Sequence, residues 1–80
     1  MNIVWDKKAL EHLHKLDNSV VKRIILALDG MSISSKNVKK LKGREGYRLR
    51  VGDYRVIFDL IENNTIYVSE VGHRRNIYKN

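Results

Sequence analysis

From Tyr47 onward the apolar residues of this chain recur at every second position, and that period leaves few folds open. Tyr47, Leu49 and Val51 alternate with Arg48 and Arg50; after Gly52-Asp53 come Tyr54, Val56, Phe58 and Leu60, alternating with Arg55, Ile57 and Asp59. Successive side chains of a β-strand point to opposite faces, so the pattern describes two strands with one apolar face. Gly-Asp is suitable chemistry for a two-residue hairpin turn, which makes the strands antiparallel and adjacent. Asn63-Asn64 can adopt the positive φ values of a second tight turn, and Ile66-Tyr67-Val68-Ser69-Glu70-Val71 returns as a third strand of the meander.

The cover for the apolar face lies upstream. Ile3, Val4 and Trp5 form a short β-type run ending at Asp6, whose carboxylate is suited to cap a helix. Ala9, Leu10, Leu13 and Leu16 follow at helical spacing, and Asp17-Asn18-Ser19 interrupts them with side chains that compete for backbone hydrogen bonds. Val20, Val21, Ile24, Ile25, Leu28 and Met31 make a second apolar stripe, with Gly30 as its stop. Both stripes read as core. Residues 32–45 read as a connecting segment tethered by Val38 and Leu41. The predicted fold is α+β: an N-terminal strand, a helical hairpin and a three-stranded antiparallel meander, with the helices on one face of a small curved sheet. The chain is 80 residues long, without internal repeat or linker, which predicts a single domain over 1–80.

Composition narrows the function. There is no cysteine, which excludes disulfide scaffolds, thiol catalysis and cysteine zinc sites and fits a reducing cytoplasm. No apolar run approaches the roughly 18–20 residues that span a bilayer, and no signal-peptide core follows the N-terminal methionine. Neither a membrane, a metal nor another cofactor is expected; His12 and His14 are two apart on a helix and cannot chelate one ion.

The net charge is +7, and it is concentrated. Residues 36–55 carry Lys36, Lys39, Lys40, Lys42, Arg44, Arg48, Arg50 and Arg55 against only Glu45 and Asp53, six of the seven net charges in a quarter of the chain. Such a block reads as a polyanion footprint. A plain solvated face explains an isolated lysine cluster equally well, but the arginines fall in the strand pattern. Arg48, Arg50 and Arg55 share the face opposite the helices, about 5–8 Å apart, a spacing at which like charges repel unless an anion is expected. Lys36, Lys39, Lys40, Lys42 and Arg44 are read as supporting residues of this polyanion surface, RNA-binding where the polyanion is RNA.

With those residues in view, the chain resembles the RelE/ParE superfamily of bacterial and archaeal type II toxins over essentially its whole length. The resemblance rests on Lys40-Leu41-Lys42-Gly43, on Gly46-Tyr47-Arg48-Leu49-Arg50-Val51-Gly52-Asp53-Tyr54-Arg55-Val56-Ile57-Phe58, and on Val71-Gly72-His73-Arg74 with Tyr78 near the terminus. The RelE branch, which cuts messenger RNA in the ribosomal A site, is similar in its site residues. It implies functional roles for Arg48, Arg50, Arg55, Arg74 and Tyr78, a ribosome carrying messenger RNA as target, and a cognate antitoxin as partner. The ParE branch, which inhibits DNA gyrase, shares the fold and is the alternative, as is a catalytically inactive module that binds RNA or antitoxin.

Metal-free cleavage needs a base for the ribose 2′-hydroxyl, a stabiliser of the phosphorane and an acid for the departing 5′-oxygen. A guanidinium suits the middle task, since it is permanently charged and matches phosphate oxygens in pairs. The family commonly has lysine where this chain has Arg48 and Arg50. Arginine there moves proton transfer to Tyr78 as base and His73 as acid, a role that a C-terminal histidine takes in some related toxins. Trp5 and Tyr67 are aromatic enough to stack on bases; for Trp5, at the end of a core strand, packing is the plainer role, and an exposed Tyr67 would equally suit contact with a partner.

Overall fold

A computed structural model of the chain describes residues 2–62, 64–73 and 75. The elements run β1 (Asn2–Trp5), α1 (Lys7–His14), α2 (Asn18–Asp29), β2 (Val38–Lys40), β3 (Tyr47–Val51), β4 (Tyr54–Leu60) and β5 (Thr65–His73). The strands form one sheet in the order β1-β5-β4-β3-β2. The α+β arrangement and the β3-β4-β5 meander agree with the sequence reading. The N-terminal strand expected from Ile3-Val4-Trp5 is present as β1 and pairs in parallel with β5, Ile3 opposite Ile66; the sheet is larger than expected on its other edge, where β2 pairs with β3, Val38 opposite Leu49. Part of the segment read as a connection is therefore a strand, and Val38 does tether it, buried with 7% exposure.

Local chemistry explains the element ends. Asp6 caps α1, its carboxylate accepting from the Lys8 N–H at 3.2 Å, which satisfies one of the helix's orphan donors. Asp17 caps α2 by backbone geometry, with no side-chain hydrogen bond. Gly52 takes φ +60° in the β3–β4 turn, as the first central residue of a two-residue hairpin requires.

The core lies between the helices and one face of the sheet. Ala9, Leu13, Ile24 and Leu28 pack against Leu49, Val56, Phe58, Ile66, Val68 and Val71, with Tyr47 stacked on Phe58 at 5.5 Å between ring centroids. One irregularity matters for everything after it. Phe58 faces Val68 but Ile57 faces Glu70, so β5 spends two residues where β4 spends one. The Ser69 hydroxyl donates to the Ile57 carbonyl across this β-bulge at 3.3 Å. An extra residue reverses the parity of the strand beyond it. Ile66 and Val68 face the helices before the bulge, and Val71 and His73 face them after it.

Candidate phosphate-binding face

The arginines come from the strand positions that the core leaves over. Arg50 stands directly opposite Arg55 in the β3–β4 ladder, while Arg48 lies two residues along β3, opposite Ile57 on β4 and Lys39 on β2. Two rows cross the helix-free face. One runs Lys39, Arg48, Ile57, Glu70, and the other Arg50, Arg55, Gly72. The shared face expected for the three arginines is therefore present.

Their exposures grade inward. Arg50 is exposed, Arg48 is half-buried, and Arg55 retains only 5% of its accessible surface. The Arg55 Nη1 donates to the Tyr54 carbonyl at 3.3 Å, and its neighbour across the ladder, Gly72, has no side chain to crowd it. Ile57 is 4% exposed on this same face, so the face is not a plain solvent surface.

Together Lys36, Asn37, Lys39, Arg48, Arg50 and Arg55 line a cavity of about 320 Å³. Five of the six are cationic and none is anionic. Lining charge of one sign around a partly desolvated hollow concentrates the field, which favours an anion over a neutral ligand. The guanidiniums can hold phosphate oxygens in pairs and stabilise charge growing on them, but they cannot exchange protons near neutral pH.

Asn37 is the lining residue that sequence reasoning did not single out. Its backbone carbonyl accepts from the Arg50 N–H at 2.9 Å, and its side-chain Nδ2 donates to the Arg50 carbonyl at 3.2 Å. One residue thus satisfies both main-chain groups of Arg50 on that side and fixes the loop carrying Lys36 beside the arginines. The only hint in the sequence is an asparagine immediately before a strand.

The other expected site residues divide. Lys36 and Lys39 line the cavity; Lys40, Lys42 and Arg44 do not. Lys40 stands opposite Tyr47, on the helix-side parity of the sheet. Arg44 reaches Glu70 across the sheet at 3.7 Å, both groups about half exposed. Arg74 and Tyr78 lie outside the described residues. His73 is separated from the arginines, because the bulge turns it to the helix side, where its ring meets Tyr54 edge-on at 5.5 Å.

Tyr67 has a structural task. Its hydroxyl donates to the Asp6 carboxylate at 2.6 Å, tying β5 to the cap of α1. The hydrogen bond from Tyr67, followed by that from the Lys8 N–H, holds the Asp6 carboxyl below its ordinary pKa. The same bond to Asp6 raises Tyr67 above the usual phenol value. Among the described residues no three His, Asp or Glu side chains come together as metal ligands, and no helix is long and apolar enough to cross a membrane.

The sequence profile of the ParE toxins of type II toxin–antitoxin systems (parDE) matches residues 3–78. The chain belongs to this family. Among solved structures, the chain is similar to the RelB–RelE antitoxin–toxin complex of Methanococcus jannaschii, with 31% identity, 94% of each chain covered and a TM-score of 0.73. It is also similar to the intact RelBE toxin–antitoxin complex of E. coli, with 26% identity, 90% of this chain and 94% of that one covered, and a TM-score of 0.62. The archaeal RelE–RelB complex of Pyrococcus horikoshii, at 24% identity and a TM-score of 0.76 over 94% of this chain and 96% of that one, shares the fold. No curated protein sequence matches. The chain is thus a type II toxin of the RelE/ParE superfamily, with RelE proteins among its structural neighbours.

Proposed function

We propose that this toxin is a metal-free endoribonuclease that cuts messenger RNA in the ribosomal A site and so arrests translation in the cytoplasm. The observation that carries the reading is the cavity of Lys36, Lys39, Arg48, Arg50 and Arg55 around a buried guanidinium on the helix-free face. The 31% identity to a RelE chain over 94% of this one supports the RelE branch.

In this reading Arg55, at the floor, and Arg50, opposite it, hold the scissile phosphate and stabilise the phosphorane. Arg48 orients the adjacent nucleotide, and Lys36 and Lys39 neutralise neighbouring phosphates, with Lys40, Lys42 and Arg44 as outlying electrostatic contacts. Proton transfer is assigned to Tyr78, assisted by Arg74. His73, on the other side of the sheet from the arginines, acts as the acid only if the message reaches round the β5 end. The ribosome contributes by holding the message in an attack-ready shape. A cognate antitoxin, as in the toxin–antitoxin complexes of the neighbours, holds the toxin inactive until it is needed.

The match to the ParE family profile favours one further reading, a gyrase inhibitor whose arginine face binds without cutting. Mapping message 5′ ends in a reconstituted translation reaction separates the two. Discrete new ends that require the ribosome support the nuclease. Intact messages together with loss of gyrase supercoiling support the inhibitor and overturn the proposal.

A further inference from the structure

Where β1 ends, the helix side of the sheet opens. Pairing between β1 and β5 stops at Trp5 and Val68, the Asp6 N–H donates to the Val68 carbonyl at 2.8 Å, and the chain turns away into α1. β5 runs on to His73 with β4 on one side, and among the described residues no strand lies on the other. The space left between α1 and this part of β5 is a cavity of about 520 Å³, on the scale of small-molecule sites, roughly 300–1,000 Å³.

Three kinds of chemistry meet in its lining. Lys8, His12 and Lys15 come from the α1 segment, and because His12 is four residues from one lysine and three from the other, the basic side chains share one stripe. An anion seated at His12 therefore has a lysine on either side. Glu70, the acidic residue in the lining, is held by Arg44 at 3.7 Å. Tyr54 and His73 bring rings that meet edge-on, 76° between planes and 5.5 Å between centroids, a corner where a flat ring lies against one and meets the edge of the other. Leu16 and Tyr54 are only half-buried, so apolar surface remains for a ligand to cover.

We propose that this cavity is a second ligand site, for a nucleoside monophosphate. The base takes the Tyr54–His73 corner, the phosphate takes the Lys8–His12–Lys15 stripe, and the sugar hydroxyls bond to main-chain groups of β5 beyond Val68, where β1 no longer pairs. A bare phosphate uses only the stripe and a bare nucleoside only the corner, so each alone binds more weakly than the two joined. The site lies on the opposite side of the sheet from the arginine face and does not depend on what that face does.

The test titrates the full-length isotope-labelled protein with adenosine monophosphate, with adenosine, inorganic phosphate and a short 2′-O-methyl RNA as controls. Amide shifts are expected at Lys8, His12, Lys15 and Glu70–His73, half-saturated at about millimolar concentration or below. Adenosine and phosphate are each expected to bind there about tenfold or more weakly. The double variant Lys8→Gln/Lys15→Gln removes two exposed charges and keeps the Lys8 N–H that Asp6 caps; it is expected to bind the nucleotide about tenfold more weakly, with message cleavage unchanged. Shifts confined to Arg48 and Arg50, equal binding of phosphate and nucleotide, tighter binding of the RNA in this cavity, full affinity in the folded double variant, or no shifts at about 10 mM nucleotide would each overturn the proposal. If the double variant does not fold, the ranking of the probes on the unaltered protein decides.

Discussion

The two faces of β3 and β4 are made by the same backbone, yet one is built for stability and the other for charge. Leu49, Val56 and Phe58 are fully buried under the helices, while Arg48, Arg50 and Arg55, their immediate neighbours in sequence, line a cationic hollow on the far side. Alternation lets a chain of this size keep a core and a site without dedicating an element to either. It also means that substitutions one residue apart should fail in different assays.

The largest effect belongs to the core face. Phe58→Ala removes the largest fully buried side chain and its stacking partner for Tyr47, and should cost about 3–5 kcal/mol in denaturant unfolding. Against a total stability of roughly 4–12 kcal/mol for a domain of this length, much of the population would unfold. A loss below about 1 kcal/mol would mean that the face division is wrong.

Next comes Arg55→Ala, which should reduce message cleavage by about 10²–10³-fold, the scale on which removal of a transition-state hydrogen-bond donor acts. Toxin-induced growth arrest should be relieved in parallel. Asn37→Ala should have a smaller effect, because it touches the site only through Arg50. It would leave the Arg50 carbonyl without one donor, at about 0.5–1.5 kcal/mol, and lower affinity for ribosome-bound message more than the cleavage step. An equal loss in the cleavage step would place Asn37 closer to the reacting atoms.

The smallest effect separates the latch from both faces. Asp6 has a lowered pKa in the folded state, so its contribution is present above the ordinary carboxylate range and is lost as pH falls through the lowered value. Tyr67 has a raised pKa, so its contribution is complete below about pH 10 and declines as pH rises through the raised value. Tyr67→Phe should therefore flatten the acid limb of stability against pH while leaving cleavage near neutral pH unchanged. An unaltered acid limb would show that the latch is not what holds Asp6 down.

The two faces were legible in the sequence to different degrees. The β3–β4 hairpin, both helices and the grouping of the arginines follow from periods of two and near four within short windows. The strand β2 does not, since Val38-Lys39-Lys40 is too short to display a period and becomes a strand only through Leu49 and Arg48. The parallel pairing of β1 with β5 joins the two ends of the chain and leaves no local mark. The placement of His73 went unread for an instructive reason. The apolar positions Ile66, Val68 and Val71 step by two and then by three, and that extra residue is the bulge that sends His73 away from the arginines. Asn37 acts through a contact thirteen residues away, beyond any pattern in a single sequence.

The most direct test is a paired measurement on Arg50→Ala, because Arg50 is exposed and lies across the ladder from buried Arg55. Ribosome-dependent message cleavage and urea unfolding are read on the same preparation. The account predicts cleavage reduced by at least about tenfold, with unfolding within about 0.5 kcal/mol of the unaltered protein. Full cleavage by a folded Arg50→Ala protein, or a loss of cleavage matched by a loss of stability, would contradict it.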